Sequence, residues 1–310
     1  MLRLFSSFQV ALAVVLVTMV AGVTGCASAQ PAASAAGTAS ASAAAAASYW
    51  PTLNGMNSKL AADIRQLRSA RTPAAVSSAV AAAEADVYLD FYRLVGMSPP
   101  NGRQATQDAL VVALRDFRGD LTSTGSAADA NQVCAGSSAL EMLSSSAGAA
   151  QLRSAEAQLA KVDPTAEGSF LPAAAAFMHR RLANGALVKR GAQSGPGQLT
   201  VRNNNDQDAV VSLVLRGRDV ATMALYVRAR SSATTTGVAD GAYQLYYTTG
   251  ADWDRSEHLF TRYCDFEKLN KTITFTTGVT NYATEQITLN SVLAGNVTAS
   301  RVPADKFPVS

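Results

Sequence analysis

Asp252, Trp253 and Asp254 stand together in the last third of the chain, with Glu257 and His258 close behind them. Carboxylate oxygens this close could hold a calcium ion, which prefers hard oxygen ligands. The segment lacks the longer ligand series and the central glycine of an EF-hand, so the calcium signal is weak. Trp253 could stack on a sugar ring, or it could pack over a sheet edge while its N–H finds a partner. We therefore take Asp252, Trp253 and Asp254 as candidate ligand-binding residues and predict no metal.

Catalytic signatures are sparse in the rest of the sequence. There is no GxSxG nucleophile elbow, no phosphate-binding GxxxxGKS, no HExxH and no dinucleotide glycine pattern. A serine triad would need His179 or His258, the two histidines, as its base. His179 stands beside Arg180 and Arg181, and its predicted setting is a solvated helix surface. The sequence thus predicts no catalytic residue and no cofactor.

The amino terminus has the layout of a secretory signal peptide over 1–25, with an uncharged apolar stretch after Arg3. The small residues Thr24 and Gly25 precede Cys26, and the resulting VTGC resembles the lipobox of bacterial lipoproteins. This resemblance implies cleavage before Cys26, lipidation of its thiol and an anchor in the outer face of the cell membrane. A transmembrane anchor that ends in a cysteine by chance is the alternative.

Residues 26–48 are rich in alanine and serine and contain no large apolar side chain. A segment with nothing to bury predicts a flexible tether between the anchor and the folded part.

Cys134 and Cys264 are the other two cysteines. A secreted chain with one such pair usually oxidises it, so we predict a disulfide between them. Two free buried thiols are the alternative.

Formal charge argues against a nucleic-acid partner. Residues 49–190 carry 14 basic and 12 acidic side chains, and residues 191–310 carry 11 of each. Neither part has the basic excess that binding to phosphate backbones requires.

Apolar residues recur every three or four positions from 49 to about 190, as in amphipathic helices. Thr72 can cap a helix with Pro73 at its first position, and Gly96 lies at its end. Several short helices of this kind predict an N-terminal helical bundle over 49–190.

Two further helices are predicted in this part of the chain. One contains Cys134, and the other follows Ser169 and would turn Met178 and Leu182 toward the core.

A stretch rich in glycine and proline, 191–197, predicts a linker, and after it the period changes to two. The runs typical of strands are LTVRN, AVVSLVLR, MALYVRA, AYQLYYTT, HLFTRYC, TITFTT and EQITLN. So many short strands predict an antiparallel β-sandwich over 198–310, with a barrel as the alternative. The segment ADWDRSE is predicted as a loop between two of these strands.

The stretch GVADGAYQLYYTTGADWD is similar to a turn–strand–turn of transthyretin-like and carboxypeptidase-regulatory-like modules. Residues 198–310 also resemble a C-terminal module of secreted proteins from high-GC Gram-positive bacteria. The resemblance implies a β-sandwich and brings no catalytic residues.

These patterns predict an α+β protein, with an all-α bundle followed by an antiparallel β-sandwich. The predicted function is that of a lipid-anchored, extracytoplasmic envelope protein that acts as a binding or structural module. The alternatives are a cell-wall polymer hydrolase, which would need two carboxylates on opposed walls of a cleft, and a carbohydrate-binding module that uses Trp253. The expected partners are the membrane, through Cys26, and a cell-wall glycan or another envelope protein.

Overall fold

The computed structural model describes residues 34–162, 169–191, 194–290 and 298–308, with side chains from residue 47 onward. The predicted signal peptide and the lipidation site at Cys26 lie outside these residues. No described helix is both long enough and apolar enough to cross a membrane.

Five helices occupy the first half of the described chain. They are α1 (Ser34–Arg68), α2 (Pro73–Gly96), α3 (Gln104–Asp129), α4 (Gly136–Ser144) and α5 (Ala147–Val162). The predicted cap is confirmed, because Thr72 Oγ1 accepts a hydrogen bond from the backbone N–H of Ala75 at 3.2 Å. Apolar faces of these helices share one core, in which Leu67, Leu94 and Leu121 are fully buried.

Nine strands follow, and a short 3-10 helix (Ala304–Lys306) comes after the last of them. The strands are β1 (Leu187–Lys189), β2 (Gly197–Asn203), β3 (Asp208–Leu215), β4 (Met223–Val227), β5 (Ser231–Val238), β6 (Gly241–Asp254), β7 (Leu259–Phe275), β8 (Thr284–Leu289) and β9 (Ala299–Arg301). One sheet has the order β1-β4-β3-β6-β7-β9, and the other has the order β5-β2-β8. Within the described strands, only β2 and β8 run parallel.

The two sheets contribute to one apolar cluster. Leu199 of β2 and Ile287 of β8 belong to it, together with Leu213, Leu245 and Ile273 of the larger sheet. The α+β class is therefore confirmed, with helices first and strands second. The sandwich stays a prediction.

The segment 169–186, before β1, differs from its prediction. It forms no helix: residues 172–183 are extended, and Met178 is 51% exposed instead of facing the core. Pro172 disfavours helical geometry at the residue before it, and Arg180 and Arg181 of this segment make long-range ion pairs with Asp252 and Asp208 of the larger sheet.

The structure also differs from the predictions at Cys134 and at the start of α1. Cys134 lies in the loop between α3 and α4, not in a helix. Helix α1 begins at Ser34, within the stretch predicted as a tether, which agrees with the high helix propensity of alanine.

The loop between α3 and α4 pairs with β7 through its backbone. The N–H of Cys134 donates to the carbonyl of Thr261 at 2.8 Å, and the N–H of Cys264 donates to the carbonyl of Asn131 at 3.1 Å. The buried hydroxyl of Ser138 also donates to Thr261 O at 2.6 Å. Helices and sheets thus belong to one compact unit that begins at Ser42.

Candidate functional site

Asp252 and Asp254 lie at the end of β6, where one arginine holds both. Arg180 donates from Nε (2.9 Å) and from a terminal nitrogen (2.7 Å) to the two carboxylate oxygens of Asp252. Its other terminal nitrogen donates to Asp254 at 2.7 Å. Burial acts to raise the pKa of Asp252, but hydrogen bonds from Arg180 and Thr261 outweigh it and lower the pKa to about 2. Both carboxylates are therefore committed to an ion pair with Arg180.

The backbone at this point is irregular. Asp252 has a φ of 59°, a left-handed conformation that aspartate tolerates better than most residues, and the register of β6 with β7 shifts between Thr249 and Ala251. A Cβ atom at Gly250 would lie 2.5 Å from the Cβ of Phe260, so the close approach of the two strands requires glycine. Irregular pairing of this kind redirects side chains, and here it points Asp252 toward Arg180.

Trp253 is buried, with 1% of its surface exposed. Its ring packs edge-on against Phe260 at 4.9 Å and against Tyr226 at 6.0 Å. The prediction of a loop at ADWDRSE is therefore wrong for its first half, because Ala251 to Asp254 belong to β6. Of the two settings considered for Trp253, the structure has the packed one, and the ring cannot stack on a sugar in this conformation. No described residue accepts a hydrogen bond from its Nε1, contrary to the expectation of a partner.

A second arginine, next to Arg180, forms a similar ion pair with another strand of the larger sheet. Arg181 donates to both carboxylate oxygens of Asp208 at the start of β3, from Nε to Oδ2 at 2.6 Å and from a terminal nitrogen to Oδ1. The hydroxyl of Tyr226 and the backbone N–H of Ala229 also donate to this carboxylate. Burial alone would raise the pKa of Asp208, but these hydrogen bonds lower it. Arg180 and Arg181 together fix the extended segment to the outer face of the larger sheet.

The two histidines lie on different segments of the chain. His179 is exposed, as predicted, but on the extended segment, with its Nδ1 3.3 Å from a terminal nitrogen of Arg262. His258 lies in the turn between β6 and β7. Across the described ranges, no three histidine, cysteine or acidic side chains cluster in a way that could hold a metal ion.

Cys134 and Cys264 lie at disulfide distance. Their sulfur atoms are 2.10 Å apart and their Cα atoms 6.2 Å apart, within the usual range for a bridge. Both residues are buried, in a cluster that also contains Leu182, Tyr226 and Trp253.

The candidate binding site lies elsewhere, in a cleft of about 840 Å³ at one end of the two sheets. We call it the sheet-end cleft. The turn after β3 and the turn after β5 form two of its walls, and its volume is within the range of small-ligand sites, roughly 300–1,000 Å³. Its buried floor includes Leu213, Met223, Val238 and Tyr243.

Charged side chains surround this floor. Lys189, Arg218, Asp219 and Asp240 line the cleft, and no ion pair joins any of them to another described residue. Asp240 accepts hydrogen bonds from both the backbone N–H and the hydroxyl of Thr277, at 3.0 and 2.8 Å. The cleft therefore combines an apolar floor with polar groups of both signs, an arrangement suited to binding.

No known protein family, curated protein or solved structure matches this chain. The assignment of a function therefore depends on the residues of the molecule itself. The resemblances to lipoproteins and to transthyretin-like modules stay predictions.

The sequence did not indicate Lys189, Arg218, Asp219 and Asp240 as site residues, because they come from three separate segments, at the end of β1, after β3 and after β5, and form no local pattern. Nor did it indicate the pairing of Arg180 with Asp252. A signal for this pair exists, since an acid inside a strongly apolar strand needs a buried partner, but the sequence does not identify which arginine supplies it.

Proposed function

We propose that this protein is a lipid-anchored component of the cell envelope that binds a ligand in the sheet-end cleft without transforming it. The observation that carries the proposal is the cleft itself, in which the exposed side chains of Arg218, Asp219 and Asp240 surround a buried apolar floor. The anchor is supported by the sequence VTGC at the end of the apolar stretch.

The ligand that fits best is a polar polymer of the envelope, with cell-wall glycan as the first candidate. Lys189 and Arg218 can donate several hydrogen bonds each, and Asp219 can accept them, which suits the dense hydroxyls and carboxylates of such polymers. Val220, an exposed apolar residue of the lining, can contact the less polar face of a sugar ring.

Hydrolysis of the same polymer is the second candidate function, because Asp219 and Asp240 come from different walls of the cleft. Two carboxylates on opposed walls are what a glycosidase needs. Thr277 occupies both oxygens of Asp240 with hydrogen bonds, however, which favours a structural role for this residue. Binding is therefore the better supported of the two.

The test uses the full-length protein and soluble cell-wall glycan fragments, with binding measured by calorimetry. Replacing both Lys189 and Arg218 by alanine should weaken binding about tenfold or more, since two charged hydrogen-bond donors are lost. Arg216→Ala is the matched control, because Arg216 is exposed on the same turn but does not line the cleft. Equal affinity of the double variant and the control would contradict the proposal.

The hydrolase is tested separately by analysing the same fragments for cleavage products. Products that disappear with Asp219→Asn would favour hydrolysis over binding.

The lipid anchor is tested at Cys26. Cys26→Ala should abolish incorporation of labelled fatty acid, and persistent labelling would contradict lipidation at this residue.

A further inference from the structure

A second cavity, of about 200 Å³, lies where the helices, the larger sheet and the C-terminal segment meet. We call it the junction pocket. Its lining comes from the turn before α2, from Cys134 in the loop between α3 and α4, from β6 and β7 with the turn between them, and from the last described residues of the chain. It shares no lining residue with the sheet-end cleft.

Aromatic rings form much of the lining. Phe260, Phe266 and Phe307 contribute, and the rings of Phe266 and Phe307 meet edge-on with centroids 5.3 Å apart. Edge-to-face contacts of this kind extend readily to one more ring. The volume exceeds the roughly 150 Å³ of an apolar cavity that accepts a benzene ring in another protein.

One polar group in the lining has no partner. Thr248 of β6 is 5% exposed, and its Oγ1 makes no hydrogen bond to any described residue. Val210 and Phe266 lie opposite it on the neighbouring strands, so the hydroxyl has apolar neighbours on both sides. A buried hydroxyl without a partner costs stability, and a ligand that bonds to it would remove that cost.

The mouth of the pocket carries charges that offset each other. Arg71 Nε lies 2.6 Å from an Oε atom of Glu257, and both residues line the pocket. Because this arginine already has a carboxylate, the pair offers no net charge to attract an ionic ligand. His258, the other ionisable side chain of the lining, already has an interaction of its own. A neutral ligand fits this environment best.

We infer that the junction pocket is a binding site for a neutral, single-ring aromatic molecule that carries one hydroxyl group. The ring occupies the space between Phe260, Phe266 and Phe307, and the hydroxyl of the ligand exchanges a hydrogen bond with Thr248 Oγ1. This site is independent of the proposed function, because it uses different residues and a different ligand chemistry.

The test uses the oxidised full-length protein with phenol as the probe and toluene as its match without a hydroxyl. Binding is followed by chemical-shift changes in two-dimensional NMR spectra. We expect saturable shifts at residues of the junction pocket, with phenol binding about tenfold more tightly than toluene. Absence of saturable shifts at this pocket, or equal affinity for the two probes, would overturn the inference.

Two variants separate ligand binding from stability. Thr248→Val should raise the melting temperature of the free protein, because it removes the unpartnered hydroxyl, and should abolish the preference for phenol. Ser212→Ala is the matched control: Ser212 also has a fully buried hydroxyl without a partner among the described residues, but it does not line the pocket. A preference for phenol that survives Thr248→Val, or that is lost with Ser212→Ala, would contradict the role of Thr248.

Discussion

Arg180 and Asp252 form a two-pronged ion pair between the extended segment and β6, with hydrogen bonds of 2.9 and 2.7 Å. The carboxylate of Asp252 is completely buried, whereas about a third of the arginine side chain remains exposed. The backbone strengthens the pair from both sides, because Arg180 N–H donates to Asp252 and Trp253 N–H donates to Arg180 O. This pair positions the connection between the helical part and the strands.

Arg180→Ala should lower the free energy of unfolding by about 2–4 kcal/mol, because it leaves the buried carboxylate of Asp252 without its main partner. Chemical denaturation at neutral pH measures the change. Arg230→Ala is the control, since Arg230 pairs with Asp206 while both side chains are mostly exposed, and its loss should cost less than about 1 kcal/mol. Equal effects of the two substitutions would show that burial of Asp252 does not determine the strength of the pair.

Acid should weaken the fold through Asp252 in a defined range. Its folded-state pKa of about 2 lies below the ordinary value of 3.8, so its contribution is present above pH 3.8 and is lost as pH falls toward 2. The difference of about 1.8 pKa units corresponds to about 2 kcal/mol. The stability difference between the natural protein and Asp252→Asn should therefore shrink by about this amount between pH 4 and pH 2. A difference that stays constant over this range would contradict the lowered pKa.

The sequence predicted the elements that depend on local patterns. The helix after Thr72 follows from a cap, a proline at its first position and a regular apolar face, and the structure has it at Pro73–Gly96. Strands β3 and β4 follow equally from their apolar, β-branched runs. In each case, the residues that determine the element lie within it.

The predictions from the sequence were wrong where contacts with distant residues determine the local structure. Residues 172–183 have a helical composition, but Arg180 and Arg181 bond to carboxylates more than 25 positions away, and these bonds hold the segment extended. The sequence predicts a loop at Asp252 and Trp253 because acids and turn residues surround them. In the structure both residues lie in a strand, where Arg180 neutralises Asp252. The sheet-end cleft could not be predicted for the same reason, since its lining residues meet only after the sheets have formed.

Glu156 provides a second test of pH dependence, with the opposite sign. This residue of α5 lines a small apolar cavity of about 50 Å³ with Leu60, Leu110 and Leu152, and its Oε2 has no partner among the described residues. Burial raises its pKa from 4.5 to about 7, although a hydrogen bond from Ser169 acts against the shift. Its contribution to stability is therefore fully present below pH 4.5 and is lost as pH rises through 7.

Glu156→Gln should consequently stabilise the protein at pH 8 relative to the natural chain, by up to about 3 kcal/mol, because glutamine never carries the buried charge. At pH 4 the two proteins should differ much less. Denaturation curves at both pH values measure the effect. A stabilisation of equal size at both pH values would indicate a packing effect instead of a titration.

The pair Cys134 and Cys264 gives the last prediction. The residues are 130 positions apart, and closing so long a loop stabilises the folded state by up to about 4–5 kcal/mol in chain-entropy reasoning, with strain and residual denatured structure reducing the value. We expect unfolded, non-reduced protein to resist alkylation at both cysteines. After protease cleavage near Gly195, the two fragments should separate under denaturing conditions only when the protein is also reduced. The double substitution of both cysteines by serine should lower the free energy of unfolding while the fold persists, since backbone hydrogen bonds from Cys134 to Thr261 and from Cys264 to Asn131 do not need the sulfur atoms. Quantitative alkylation of both thiols without reductant would show that the bridge is absent and that these hydrogen bonds, with the ion pairs of Arg180 and Arg181, hold the two parts together alone.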